Sequence, residues 1–124
     1  MILGIGTDII DIPRISLMLR RESFIGKIYT QNEREYLALH KLNPSTAAGM
    51  FSVKEAAAKA LGRGFDYLSW KDIEIFHNEY GKPYVVLHGK AKELFESLNG
   101  TSVHISISHI KLAAVAQCII EGRE

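Results

Sequence analysis

Three places in the 124-residue sequence combine residue types that can handle a phosphate and a proton. Glu55 and Lys59 stand four apart in Phe51-Ser52-Val53-Lys54-Glu55-Ala56-Ala57-Ala58-Lys59, so on a helix they share a face. Asp8 comes just after the apolar run Ile2–Ile5, where a rigid strand can deliver a carboxylate to a site. His109 sits at a turn between two apolar-patterned stretches, and a neutral imidazole can accept a proton near neutral pH. Two carboxylates make a hard oxygen pair suited to Mg²⁺ with several waters retained, and an ion so held can clamp a pyrophosphate. A lysine binds phosphate as a compact point charge. Gly62 and Gly64 flank Arg63 after the helix and let backbone N–H groups approach an anion. Each feature also has a plainer meaning. Glu55–Lys59 is equally a surface helix pair, Asp8 a strand-end cap, His109 a turn residue bonded to backbone, and Gly62 a helix stop. Their separation along the chain does not by itself bring them together.

The elements that must position these residues are legible from pattern. Ile2–Ile5 reads as a buried strand, with Gly4 and Gly6 permitting close backbone approach. Asp11 can cap a following helix with Pro13 in its first turn, and Arg14, Met18 and Arg21 then fall on one face of it. That basic face, centred on an adaptable methionine, is either solvated or a dock for an acidic partner. Thr30-x-x-Glu33 is a capping box that opens a helix to about His40. Asn43 and Pro44 start the central helix and Gly62 ends it. Lys54 precedes Glu55 by one residue and points about a hundred degrees away from it, towards packing or a peripheral phosphate. Trp70 reads as a core or edge anchor. Residues 72–77 and 84–88 alternate as a hairpin around Asn78–Gly81, with Pro83 at the start of the returning strand. Residues 90–98 read as a helix stopped by Asn99-Gly100, and 103–107 and 112–120 as a second hairpin, with 121–124 frayed.

Length and composition set the frame. One domain, residues 1–124, is expected. An apolar fraction of 47% and a charged fraction of 23% are ordinary for a globular protein. A net charge of +1, with no aromatics interleaved in a basic stripe, predicts no nucleic-acid binding. The single cysteine, Cys118, lies in an apolar run and reads as an inert strand thiol. The five histidines show no zinc spacing. No basic leader precedes an apolar stretch, and no apolar run approaches about 18 residues, so a cytoplasmic protein without membrane contact is expected.

At these residues the sequence resembles a known family. Gly4-Ile5-Gly6-Thr7-Asp8-Ile9, Phe51-x-x-Lys54-Glu55-Ala56-x-x-Lys59-Ala60, Gly81-Lys82-Pro83-Tyr84 and Ser106-Ile107-Ser108-His109 are similar, in the same order and over nearly the whole chain, to the holo-[acyl-carrier-protein] synthases. These are the small, single-domain 4′-phosphopantetheinyl transferases. The resemblance implies an α/β fold of α+β type, with an antiparallel sheet packed around a long central helix, and a homotrimer with interfacial active sites. It also implies transfer of the phosphopantetheine arm of coenzyme A to a serine of apo-acyl carrier protein, releasing adenosine 3′,5′-bisphosphate and serving fatty acid and lipid biosynthesis.

Roles follow from the resemblance. Asp8 and Glu55 hold Mg²⁺ on the coenzyme A pyrophosphate, and Lys59 contacts a phosphate oxygen. Glu55 is the first candidate for the base and His109 the second. Gly62, Gly64, Lys82, Pro83, Ser108 and His109 join Lys59 in contacting coenzyme A, with Lys82 and Pro83 coming from a neighbouring subunit. Arg14, Met18 and Arg21 form the docking face for the acidic carrier protein. The chain departs from its relatives in having Met50 in place of an arginine, Arg63 in place of a threonine, and Ile110 in place of a polar residue. Arg63 offers a charge for the one lost at Met50. Ile10 leaves no third carboxylate, so water completes the ion's shell. Without the resemblance, two readings stand: a Mg²⁺-dependent enzyme acting on a pyrophosphate, or a non-catalytic module that binds an acidic protein through the Arg14 face.

Overall fold

Gly4 and Gly6 let the first strand lie directly on the backbone of the central helix. In the computed structural model, which describes residues 1–124, β1 (Ile2–Asp11) crosses α4 (Pro44–Leu61) so closely that a Cβ on Gly6 would stand 1.8 Å from the carbonyl oxygen of Ala56. One on Gly4 would stand 2.0 Å from that of Ala60. Both glycines are required by contact with backbone, which cannot swing aside as a side chain can.

α4 starts where expected. Asn43 accepts from the N–H groups of Ser45 and Thr46, Pro44 takes the first position, and Gly62 closes the helix in the left-handed region at φ 86°. Its small side chains admit neighbours all round, and 12 of its 18 residues are buried, which is why it is a core axis instead of a surface helix.

The sheet over this axis is antiparallel, in the order β1-β5-β4, with β4 spanning Gly100–His109 and β5 spanning Ala113–Gly122. A separate antiparallel hairpin joins β2 (Ile73–His77) to β3 (Pro83–Leu87), and α5 (Gly89–Ser97) leads into β4. The expected α+β class, an antiparallel sheet around a long helix, is the fold observed. The alternation in β1 points Gly4, Gly6, Asp8 and Ile10 at α4 and leaves Ile5, Thr7 and Ile9 outside.

Three local expectations change. Asp8 is inside β1, paired opposite Ala116, and not beyond its end. β5 offers ladder partners as far as Asp11, so the strand runs on through polar residues. The chain end is not frayed at Glu121 and Gly122, because the Gly122 N–H bonds Met1 O and the Met1 amino group donates to Gly122 O at 2.8 Å. The single helix drawn through Arg14, Met18 and Arg21 is two: α1 (Ile12–Met18), capped by Asp11, and α2 (Glu22–Ile28), which Arg21 precedes. The break lets Ile12 and Ile15 of one and Ile25 and Ile28 of the other all reach the core.

Lys54 is anchored in the interior. It lies 2.9 Å from Glu33 Oε1, with both side chains fully buried, and its ammonium donates to the carbonyls of Trp70 and Ile73. Glu33 accepts in turn from the N–H groups of Thr30 and Ile75. The capping box that opens α3 (Gln31–Leu39) thereby also tethers α3 to α4 and β2. Burial pushes the Lys54 ammonium pKa down, against the pull of Glu33. The pair holds because every polar atom in it has a partner.

The glycine contact can be tested by volume alone. Gly6→Ala is expected to cost ~3 kcal/mol or more through backbone displacement. Gly26→Ala in α2, where nothing lies within 4 Å of the added Cβ, should be neutral or gain roughly 0.5–1 kcal/mol. Urea melts of the two variants check this, and equal losses would refute the account.

Candidate active site

The β1–α4 crossing brings Asp8 beside one face of the helix. Ser52, fully buried, donates its hydroxyl between the Asp8 backbone oxygen at 3.1 Å and Oδ2 at 3.0 Å. One turn on is Glu55, and a turn further Lys59, whose ammonium donates to the Thr7 carbonyl at 3.0 Å and lies 3.6 Å from Asp8 Oδ1. Asp8, Glu55 and Lys59 thus form one constellation, as expected. Sequence reasoning passed over Ser52; its position one turn before Glu55, on the face that meets Asp8, was the available signal.

The electrostatics suit a cation. Burial first, and then the charge of Asp8, raise the Glu55 carboxyl above the ordinary carboxylate value, while Lys59 pulls it back. Two carboxylates held in mutual repulsion are relieved by a divalent ion. Asp8 Oδ2 is engaged by Ser52, and Lys59 sits at a longer distance from Oδ1. No group of three or more acidic, histidine or cysteine side chains converges here. The donor set therefore fits an ion that keeps water and substrate oxygens in its shell, such as Mg²⁺.

A cleft of about 460 Å³ opens from this face, lined by Glu55, Lys59, Gly62, Arg63, Gly64 and Phe65. A different cleft of about 400 Å³ contains Lys82, Pro83 and His109, with Met50, His77 and Ser106. His109 and Lys82 are thus not in the Glu55 cleft of the same chain. Met50 and Arg63 also line different clefts, so Arg63 does not refill the place of the missing arginine within one chain. Ser108 is exposed at the end of β4, opposite Val115, and Ser106 lines the cleft instead. Arg14, Met18 and Arg21 do share a groove despite the helix break, together with Lys27, Phe24, Phe51 and Trp70. A run of stacked rings connects that groove to the Glu55 cleft: Phe51 on Trp70 at 5.0 Å and Trp70 on Phe65 at 3.6 Å between centres.

The sequence profile of the 4′-phosphopantetheinyl transferase superfamily matches residues 4–113, which takes in the Asp8, Glu55 and His109 stretches together. The chain belongs to this family. A holo-[acyl-carrier-protein] synthase of Clostridium perfringens is 44% identical over 127 residues, covering 98% of this chain and 96% of the relative. Among solved structures, the holo-acyl-carrier-protein synthase of Plasmodium yoelii superposes with a TM-score of 0.85 at 35% identity, covering 100% of this chain and 98% of that one. The holo-(acyl-carrier-protein) synthase of Bacillus anthracis, in complex with coenzyme A (3′,5′-ADP), superposes with a TM-score of 0.82 at 37% identity and 99% coverage of each chain. The similarity is full-length in both directions.

The coupling between the two carboxylates is directly measurable. In metal-free protein, Asp8→Asn should lower the Glu55 titration midpoint, because a like charge is removed, and Lys59→Met should raise it. Side-chain carboxyl NMR reads both shifts. An unmoved Glu55 in Asp8→Asn would mean that the two groups are not neighbours.

Proposed function

We propose that this protein transfers the 4′-phosphopantetheine group from coenzyme A to a serine of apo-acyl carrier protein, with Mg²⁺, releasing adenosine 3′,5′-bisphosphate and supporting fatty acid biosynthesis. The observation that carries this reading is the meeting of Asp8, Glu55 and Lys59 beside an open cleft, in a chain whose full-length relatives are named for that reaction.

Asp8 and Glu55 would hold Mg²⁺, which supplies charge neutralisation on a pyrophosphate as its anhydride breaks. Lys59, more than half exposed at the cleft, binds a phosphate oxygen. The acceptor serine Oγ attacks phosphorus. The P–O bond to the nucleotide breaks, and its electron pair leaves with adenosine 3′,5′-bisphosphate. Glu55 is the first candidate to take the serine proton, and His109 of a neighbouring copy the second. The groove of Arg14, Met18, Arg21 and Lys27 receives the acidic carrier protein, and the stacked rings beside it lead to the reacting centre.

A second copy completes the site. Lys82, Pro83 and His109 contact the coenzyme only if they come from a neighbour, since in one chain they face another cleft. The outer face of the sheet exposes Ile5 at 64% and Ile9 at 67%, in rows with Ile119 and Val115, as an apolar surface for that neighbour. The family resemblance supports a homotrimer as that assembly. No helix is long and apolar enough to cross a membrane.

Mass spectrometry of apo-acyl carrier protein incubated with this protein, coenzyme A and Mg²⁺ should show a gain of about 340 Da that EDTA abolishes. Asp8→Ala and Glu55→Ala should stay folded and lose ~10²-fold or more of the rate. No gain on a folded carrier, with the Arg14 groove still binding it, would favour the non-catalytic docking module. Equilibrated mixtures of Asp8→Ala and His109→Ala chains should recover roughly a quarter of wild-type activity if sites are shared between copies. No recovery would place each site within one chain.

A further inference from the structure

Arg63 follows the left-handed Gly62 at the end of α4, and its guanidinium carbon sits 3.8 Å from the centre of the Tyr67 ring. Lys90, from the first turn of α5, brings its ammonium to 4.7 Å from the same centre. Neither cation has a carboxylate within 4.0 Å. Asp66, the acidic group nearest in sequence, turns its carboxylate towards Gly64. The negative face of an aromatic ring holds a cation without neutralising it. Two like charges therefore stand beside one ring with no carboxylate in ion-pair contact, and one of them, Arg63, also lines the cleft that contains Glu55 and Lys59.

We propose that Arg63, held on Tyr67 beside Lys90, is a second phosphate anchor of the coenzyme cleft. Lys59 binds one phosphate next to the carboxylates, and Arg63 binds another on the same coenzyme molecule. A guanidinium presents a planar fork of donors that matches two phosphate oxygens at once. The ring restricts the long side chain before the ligand arrives, so less freedom is lost on binding. Lys90 adds positive potential from a different element. This inference rests on the reading of the cleft as a coenzyme A site. Coenzyme A carries phosphate in two places, the pyrophosphate and the ribose 3′-phosphate, and both belong to the chemistry Arg63 recognises.

Calorimetric titration of the full chain with coenzyme A at several salt concentrations tests it. Arg63→Gln should weaken binding about tenfold and flatten the salt dependence. Lys90→Gln should weaken it less, and Tyr67→Leu should act in the same direction as Arg63→Gln while retaining the charge. Circular dichroism confirms folding of each. The same titrations with 3′-dephospho-coenzyme A locate the phosphate. If Arg63 holds the 3′-phosphate, the variant and wild type bind this analogue equally; if it holds the pyrophosphate, the tenfold difference persists. Both results support the anchor. Arg63→Gln binding coenzyme A as wild type does, whatever its affinity for a carrier protein, overturns it. Wild-type protein that fails to bind coenzyme A overturns the proposed function and this inference with it, so the two failures are told apart.

Discussion

The contact between β1 and the α4 backbone sets the geometry on which everything else depends. Strand and helix approach so closely that only hydrogen atoms separate them at Gly4 and Gly6. Two residues beyond Gly6, the alternation of the strand turns Asp8 to the same side, where the helix presents Ser52, Glu55 and Lys59. A bulkier residue at either glycine would lift the strand away and separate carboxylates that must face one another. The apolar interior and the candidate site are thus held by one packing event.

A second constraint fixes the helix itself. Lys54 and Glu55 are adjacent in sequence but serve opposite ends of the design. Lys54 is drawn into the core by Glu33 and two carbonyls, and this settles the rotation of α4 about its axis. With that rotation fixed, Glu55 emerges towards Asp8 and Lys59 follows one turn later. The buried pair does not add stability cheaply, since desolvation offsets much of its attraction. Its effect is to specify one orientation, because any other rotation would leave a charge unpaired in the interior.

The residues of the proposed transfer are divided between two clefts. One face of the sheet is covered by α4, and the other exposes Ile5 and Ile9 beside the half-buried Ile119 and Val115. The Glu55 cleft and the His109 cleft lie apart, each with only part of the chemistry that the proposed transfer requires. In the proposed assembly, burying the open sheet face against another copy would remove apolar surface from water and supply the missing side chains in the same step.

By itself the sequence determined the local features: the capped central helix from Asn43 to Gly62, the capping box at Thr30, the two hairpins, and the neighbouring Glu55 and Lys59. These depend on nearest neighbours along the chain, where propensity, capping and periodicity act. It also marked Gly4 and Gly6 as a point of close approach without saying what approaches. Tertiary structure decided the rest. It brought Asp8 to Ser52 and Glu55 across more than forty residues, buried Lys54 on Glu33, split the Arg14–Arg21 stretch into two helices so that both could reach the core, and set His109 in another cleft from Glu55. Those outcomes turn on which surfaces exclude water together and which buried charges find partners. Both are properties of the whole packed chain, and no window of sequence contains them.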